Sequence, residues 1–318
     1  MAEVLYRDYR AGDEVEINDG FNQVFGLNRS LDEWTWKFPE RPEGRWITLA
    51  LGPDGRVLAH YGAVAMQVQF GREHVRAGQI VDAYSRSEVR GTRVFSTCYE
   101  RFIDSFGRPD GLPLMFGFPG RHHYEMGLKV LKYVPIGSVP YWVRGTRWRP
   151  SLKGWGFERR HGFDAQAVDD LWLQSAARYD VATVRDSNWL ARRYCGRPGV
   201  EYSHLSVWRR GRPNAWAVAR AQGGTLRWAE LVWDGRTAGA LVALDGALDR
   251  LARRVSCTNL ELWLGGDSDA EQIIERLGWA RRPCPQDMLI VARSFDSRVD
   301  LKRMQGSFYV TMGDSDLV

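Results

Sequence analysis

Alternating apolar and polar residues mark RWITLAL and RVLAHYGAVAMQVQF as strands, with Gly52-Pro53-Asp54-Gly55 as the turn between them. Phe70-Gly71-Arg72 turns the chain into a third strand that ends in QIVDAYS. The period then changes. Val94, Phe95, Cys98, Phe102 and Ile103 recur at helical spacing, which predicts a helix over about 92–106. The strand LPLMFGF, a short helix around HHYEMGLKV and a strand near PYWVRG follow. An amphipathic helix from Asp13 to Phe25 precedes the whole set.

The second half repeats this order. GRPNAWAVARAQGGTLRWAELVWD reads as a hairpin turning at Gly223-Gly224, and residues 237–255 as a helix with Leu241, Leu244, Leu248, Leu251 and Val255 on one face. LELWL, AEQIIERLGW and DMLIVAR then read as strand, helix and strand. Arg90 to Gly117 spans 27 positions and Arg236 to Gly265 spans 29; Gly117 to Tyr133 spans 16 and Gly265 to Trp279 spans 14. The agreement predicts a duplicated domain, residues 1–150 and 151–318, joined near GTRWRPSLKGWGF.

The length of 318 residues suits two medium-sized cores, and 44% apolar with 26% charged residues is an ordinary globular balance. The 14 tryptophans point first to aromatic cores. A net charge of +5, carried mostly by arginine, suits an acidic ligand such as a phosphorylated cofactor, or a solvated arginine-rich surface. No basic block is long enough or aromatic-interleaved enough to predict nucleic acid as a partner. Cys98, Cys195, Cys257 and Cys284 form no CxxC pair, so no zinc or other metal site is expected and a reduced, cytoplasmic setting is. The start, MAEVLYRDYRAGDE, lacks the apolar core of a signal peptide, and no run approaches the roughly 18 apolar residues of a membrane span. These features predict a soluble protein of unassigned oligomeric state.

The strand QIVDAYS, the turn SRSEVRG and the following helix make an anion site. Free backbone N–H groups and the helix dipole both point outward there. Around this point the sequence resembles the GNAT acyltransferase superfamily, specifically its tandem-domain members. The stretch AGQIVDAYSRSEVRGTRVFSTCYERF followed by LMFGFPGRHHYEMGLKVLKY looks like the family's central strand, coenzyme A loop, next helix and Gly-Phe-Pro unit. DSNWLARRY and the terminal FYVTMGDSDLV also look familial. The resemblance implies an α/β (α+β) fold of two tandem GNAT-like domains, each a mixed, mostly antiparallel, splayed sheet flanked by helices. It also implies acyl-coenzyme A (acetyl-CoA or another acyl-CoA) in the splay, with its pyrophosphate on the loop. The family loop reads Arg/Gln-x-x-Gly-x-Gly/Ala. Here Arg90 holds the first position, Arg93 stands for the glycine and Phe95 for Gly/Ala; the second copy, RTAGAL, keeps Arg236 and Gly239 but ends in Leu241.

The expected cofactor contacts are Ala83, Tyr84 and Ser85 on the strand and Val89, Arg90, Gly91, Thr92, Arg93 and Val94 on the loop, with positive charge from Arg86, Arg90 and Arg93. Asp82 is a candidate base, provided that burial lifts its pKa; the alternative is an ion pair with Arg86 or Arg90. GNAT enzymes often carry a tyrosine here that returns a proton to the leaving thiolate, and the resemblance gives Tyr124 that role, the alternative being an amphipathic tyrosine at a domain edge. Of the adjacent His122 and His123 at most one serves as a base, with His122 the second candidate. His60, on its strand, reads first as a structural histidine. The implied activity is N-acyl transfer to an amine of a small molecule, an amino sugar or amino acid among them. The rival class is a non-catalytic pseudo-acyltransferase that binds a ligand or partner.

Overall fold

The computed structural model describes residues 3–42, 44–147 and 156–316, with only the backbone of His122. It divides into two compact units. The first comprises residues 1–67, 75–136 and 289–301, and the second 68–74, 137–288 and 302–318. The expected division at residue 150 therefore does not hold, and residues 148–155 of the expected linker lie outside the described residues.

The chain begins with β1 (Leu5–Asp8), α1 (Glu14–Phe25), α2 (Leu31–Lys37), β2 (Trp46–Leu51), β3 (Val57–Phe70) and β4 (Glu73–Ser85). Then come α3 (Val94–Phe106), β5 (Leu114–Gly117), α4 (Arg121–Lys129) and β6 (Val134–Ser138). The following elements are β7 (Tyr141–Gly145), β8 (Phe157–His161), α5 (Ala165–Ser175), β9 (Val181–Thr183), α6 (Ser187–Tyr194), β10 (Ser203–Arg209), β11 (Arg212–Gln222) and β12 (Thr225–Trp233). The chain closes with α7 (Ala238–Arg254), β13 (Asn259–Trp263), α8 (Ser268–Arg276), β14 (Ala280–Arg282), β15 (Leu289–Ser294), α9 (Leu301–Ser307) and β16 (Phe308–Tyr309).

The first unit's sheet runs β1-β2-β3-β4-β5-β15-β6. Its inner apolar residues sort to two faces. On one face Tyr61 packs with Phe95, Cys98, Tyr99 and Phe102 of α3; on the other Ile47, Leu49 and Val81 pack with Ile17 of α1 and Trp34 of α2. Helix α2 was not expected from the sequence. Its start is set by Ser30, whose hydroxyl accepts from the Glu33 amide at 3.1 Å, an N-cap that satisfies one of the helix's orphan donors.

The second unit's sheet runs β14-β7-β13-β12-β11-β10-β8. Residues 68–74, the tip of the β3–β4 hairpin, belong to this unit, where Val68–Phe70 pair with β9. Two strands depart from the expected order. PYWVRG, expected to end the first copy, supplies β7, which lies between β14 and β13 of the second unit. DMLIVAR, expected to end the second copy, supplies β15 of the first unit, where Val291 faces Gly117 and Ser294 faces Leu114 on β5. Each sheet is thus completed by a strand from the other half of the sequence, an exchange that hydropathy alone does not encode because either sheet offers the same apolar surface.

Candidate active site

Strands β4 and β5 are parallel, with Ala77 opposite Leu114 and Ile80 opposite Gly117. There the ladder ends. β4 continues to Ser85, whereas the chain leaves β5 at Gly117 and turns into α4, so an opening forms beside residues 81–85.

A bulge re-aims β4 at this opening. Asp82 has φ of 53°, in the left-handed region. Strict alternation would put Ile80 and Tyr84 on one face, yet Ile80 and Ala83 pack under α3 while Val81 and Tyr84 pack under α1 and α2. One extra residue at Asp82 accounts for the switch. An aspartate tolerates that conformation better than most side chains.

The Asp82 side chain is 1% exposed and binds two cations. Lys37 Nζ lies 2.5 Å from Oδ1, and Arg29 Nη1 donates to Oδ2. Burial alone would raise its pKa, but the charges of Lys37 and Arg29 and their hydrogen bonds outweigh burial and hold the carboxyl below its ordinary value. The expectation of a raised pKa is therefore reversed, and the pairing partners are neither Arg86 nor Arg90. Lys37 and Arg29 come from the segment 26–45, which the periodicity left unassigned. No short-range signal connects them to a residue some 45 to 53 positions away. His60 Nδ1 lies 2.7 Å from the Asp82 carbonyl oxygen, and burial pushes the His60 pKa down to about 4, so the ring is neutral at physiological pH.

The loop after β4 makes a short turn over Ser87–Val89 and opens at Gly91, whose φ of 77° suits glycine. Thr92 ties the turn together: its hydroxyl donates to the Val89 carbonyl at 2.7 Å and accepts from the Val94 amide at 3.3 Å. Arg93 is the N-cap of α3 with φ of −81° and ψ of 0°, so the residue standing for the family's glycine needs no left-handed backbone. Its side chain and that of Arg90 are exposed and reach no partner among the described residues. The amides of Gly91, Arg93, Phe95 and Ser96 bond to nothing among the described residues. Arg86 does not belong to this set. It is buried and spent on the Val57 carbonyl (2.8 Å), Gln23, Glu16 (2.9 Å) and Asp19 (3.2 Å).

Across the opening, Tyr124 sits half-buried on α4 against the α3 core, the face opposite that of the Asp82 cluster. His122 lies in the first turn of the same helix. Beside them His123, the other histidine weighed as a base, meets a chain of phenols that the sequence reading missed. His123 Nε2 lies 3.5 Å from the Tyr133 hydroxyl, which hydrogen-bonds Tyr61, while Arg293 from β15 donates to Tyr99. Its members lie far apart in sequence, and only the arrival of β15 brings Arg293 to them.

The second copy has a comparable loop, but its own residues fill it. Asp234 accepts from the amides of Arg236 and Thr237, both at 2.9 Å, and from the Thr237 hydroxyl at 2.8 Å. β12 and β13 are also parallel and part after Trp228–Leu262. There the C-terminal segment enters. Val310 bridges Gly265, the Tyr309 hydroxyl donates to the Leu231 carbonyl at 2.9 Å, and the Thr311 hydroxyl donates to Glu230 at 2.8 Å. Arg185, fully buried, clamps Glu230 at 2.9 Å and Asp314 at 2.6 Å.

No protein-family model matches the chain, and no curated protein matches it. Solved structures do. A probable N-acyltransferase of Enterococcus faecalis V583 superposes with a TM-score of 0.72 at 15% identity, over 93% of this chain and 73% of that one. A GCN5-related N-acetyltransferase of Anabaena variabilis gives 0.70 at 11% identity, over 92% and 73%. The chain has the GNAT fold. Saccharomyces cerevisiae N-myristoyltransferase, solved with bound myristoyl-CoA, superposes on this chain with a TM-score of 0.62 at 10% identity, over 92% and 82%. Among the described residues no helix is long and apolar enough to cross a membrane.

Proposed function

We propose that this chain is an acyl-CoA-dependent N-acyltransferase and that acyl-CoA binds the first unit. The contrast between the two openings carries the reading. In the second unit Asp234 caps the loop amides and residues 309–314 fill the parting strands; in the first, the loop amides bond to nothing among the described residues and the side chains of Arg90 and Arg93 are exposed. The pyrophosphate would rest on the amides around Gly91–Ser96, with Arg90 and Arg93 adding charge-assisted bonds.

The thioester would lie along Ala83–Ser85, where a backbone N–H polarises its carbonyl as negative charge develops on the oxygen. The neutral amine attacks the carbonyl carbon, a C–N bond forms and the C–S bond breaks. The amine's proton passes to a base, for which His122 is the remaining candidate, and Tyr124 returns a proton to the thiolate. Asp82, held anionic by Lys37 and Arg29, is too weak a base for that step. It instead fixes the bulge and ties β4 to the α1–α2 segment.

Myristoyl-CoA in the yeast neighbour agrees with an acyl-CoA donor, and the acceptor would be an amine of a small molecule. Thermal denaturation tests the reading. Acetyl-CoA at about 100 times its Kd should stabilise the protein by about 2.7 kcal/mol. No stabilisation by acetyl-CoA or by longer acyl-CoAs would favour the pseudo-acyltransferase.

A further inference from the structure

His60 is fully buried near the start of β3, and its neighbours hold the ring in one place. It stacks on Tyr84 at 5.5 Å, with 12° between the ring planes, and meets Phe38 edge-on at 6.0 Å. Gly62, on the same face of β3, makes room for it: a Cβ there would lie 2.7 Å from the imidazole Cε1.

The position of the proton is fixed as well. Nδ1 lies 2.7 Å from the Asp82 carbonyl oxygen, which can only accept, so Nδ1 carries the proton and donates. Nε2 is buried with no partner among the described residues, and burial pushes the pKa down to about 4. A neutral imidazole closed off from solvent does not serve as the base for an incoming amine. What it does is hold a carbonyl.

That carbonyl belongs to the bulged residue of β4, and a bulge leaves a residue outside the regular ladder. His60 supplies the missing partner from a side chain. The Asp82–Ala83 peptide is trans, so its C=O and N–H point in opposite directions. With His60 on the C=O, the Ala83 N–H is set on the side turned away from the ring. Arg86 agrees with this sense: its amide donates to the Leu58 carbonyl on β3 at 2.9 Å, and alternation back along the chain turns the Ala83 amide away from β3. On that other side the pairing of β4 with β5 has already ended, at Ile80 and Gly117.

Resting on the acyltransferase reading above, we infer that the Ala83 N–H is the donor that polarises the thioester carbonyl, and that His60, acting through the Asp82 carbonyl, is the residue that positions it. The N–H is aimed before acyl-CoA arrives, so it needs no reorganisation as charge develops on the oxygen. The hydrogen bond also works along the peptide, because a carbonyl that accepts one makes its own N–H a stronger donor. His60 itself touches neither the acyl group nor the amine.

The test titrates the full chain with acetyl-CoA labelled at the carbonyl carbon and reads the thioester carbonyl stretch of the bound ligand by isotope-difference infrared spectroscopy. A hydrogen bond to the oxygen lowers that stretch, and the measurement needs no acceptor amine. In the unaltered protein the bound stretch should lie below that of free acetyl-CoA. His60→Leu removes the donor and should lose most of this shift, while acetyl-CoA affinity, measured by calorimetry, stays unchanged. His60→Asn, whose side-chain amide places a donor where Nδ1–H was, should keep the shift. Gly62→Ala leaves β4 unaltered but pushes the ring from its place, so it should lose the shift too, and it serves if His60→Leu does not fold. Three results overturn the inference alone: no shift in unaltered protein that binds acetyl-CoA, a shift unmoved in the folded variants that lack or displace the ring, or a loss that His60→Asn shares in full. Failure of the unaltered protein to bind acetyl-CoA would instead bring down the acyltransferase reading, and the inference with it.

Discussion

A carboxylate whose two oxygens bond one buried and one half-buried cation takes a charge partner from both if its own charge is removed. Asp82 is in that position, with side-chain exposures of 1% for itself, 6% for Arg29 and 11% for Lys37. Asp82→Asn keeps a side chain that tolerates the left-handed backbone and so isolates the charge. It should cost about 3–5 kcal/mol in urea unfolding, and a loss below about 1 kcal/mol would contradict the pairing. The pH dependence follows from the direction of the shift. Because the folded pKa lies below the ordinary 3.8, Asp82 contributes its full stabilisation above that value and loses it as the pH falls toward the folded pKa. Periodicity placed Asp82 on the strand, and local residue type made it a base. Its real chemistry depends on Arg29 and Lys37, brought there by the fold of α1 and α2.

Among elements, the strand–turn–helix from Gln79 to Phe106 was legible because each signal is local: alternation in β4, a glycine at the turn and the spacing of Val94, Cys98 and Phe102 in α3. The bulge was not, since a positive φ at an aspartate leaves the residue pattern of QIVDAYS unchanged. The repeat RTAGAL was also legible as a helix start, and α7 begins at Ala238. What the motif could not show is that Asp234, two residues before Arg236, caps the amides that a phosphate would need. A loop of the right form binds an anion only if its own chain does not supply one.

At the scale of the whole molecule, the duplicated order of elements was readable, but the closing strands were not. A strand buried on both faces carries no mark of which sheet it joins. β15 follows the entire second sheet in sequence yet lies between β5 and β6 of the first unit. A fragment of residues 1–150 lacks it, so β5 and β6 lose their shared partner and Tyr99 loses Arg293. That fragment should be aggregated or only partly folded by circular dichroism and size exclusion; a folded monomer would contradict the role given to β15. The central claim, that the first unit and not the second holds acyl-CoA, is tested most directly by calorimetric titration of acetyl-CoA into Arg90→Glu and Arg236→Glu. A charged hydrogen bond is worth about 1.5–3 kcal/mol, so Arg90→Glu should weaken binding by at least about tenfold and Arg236→Glu by less than about twofold. Loss of affinity confined to Arg236→Glu, or no binding by the unaltered protein, would contradict it.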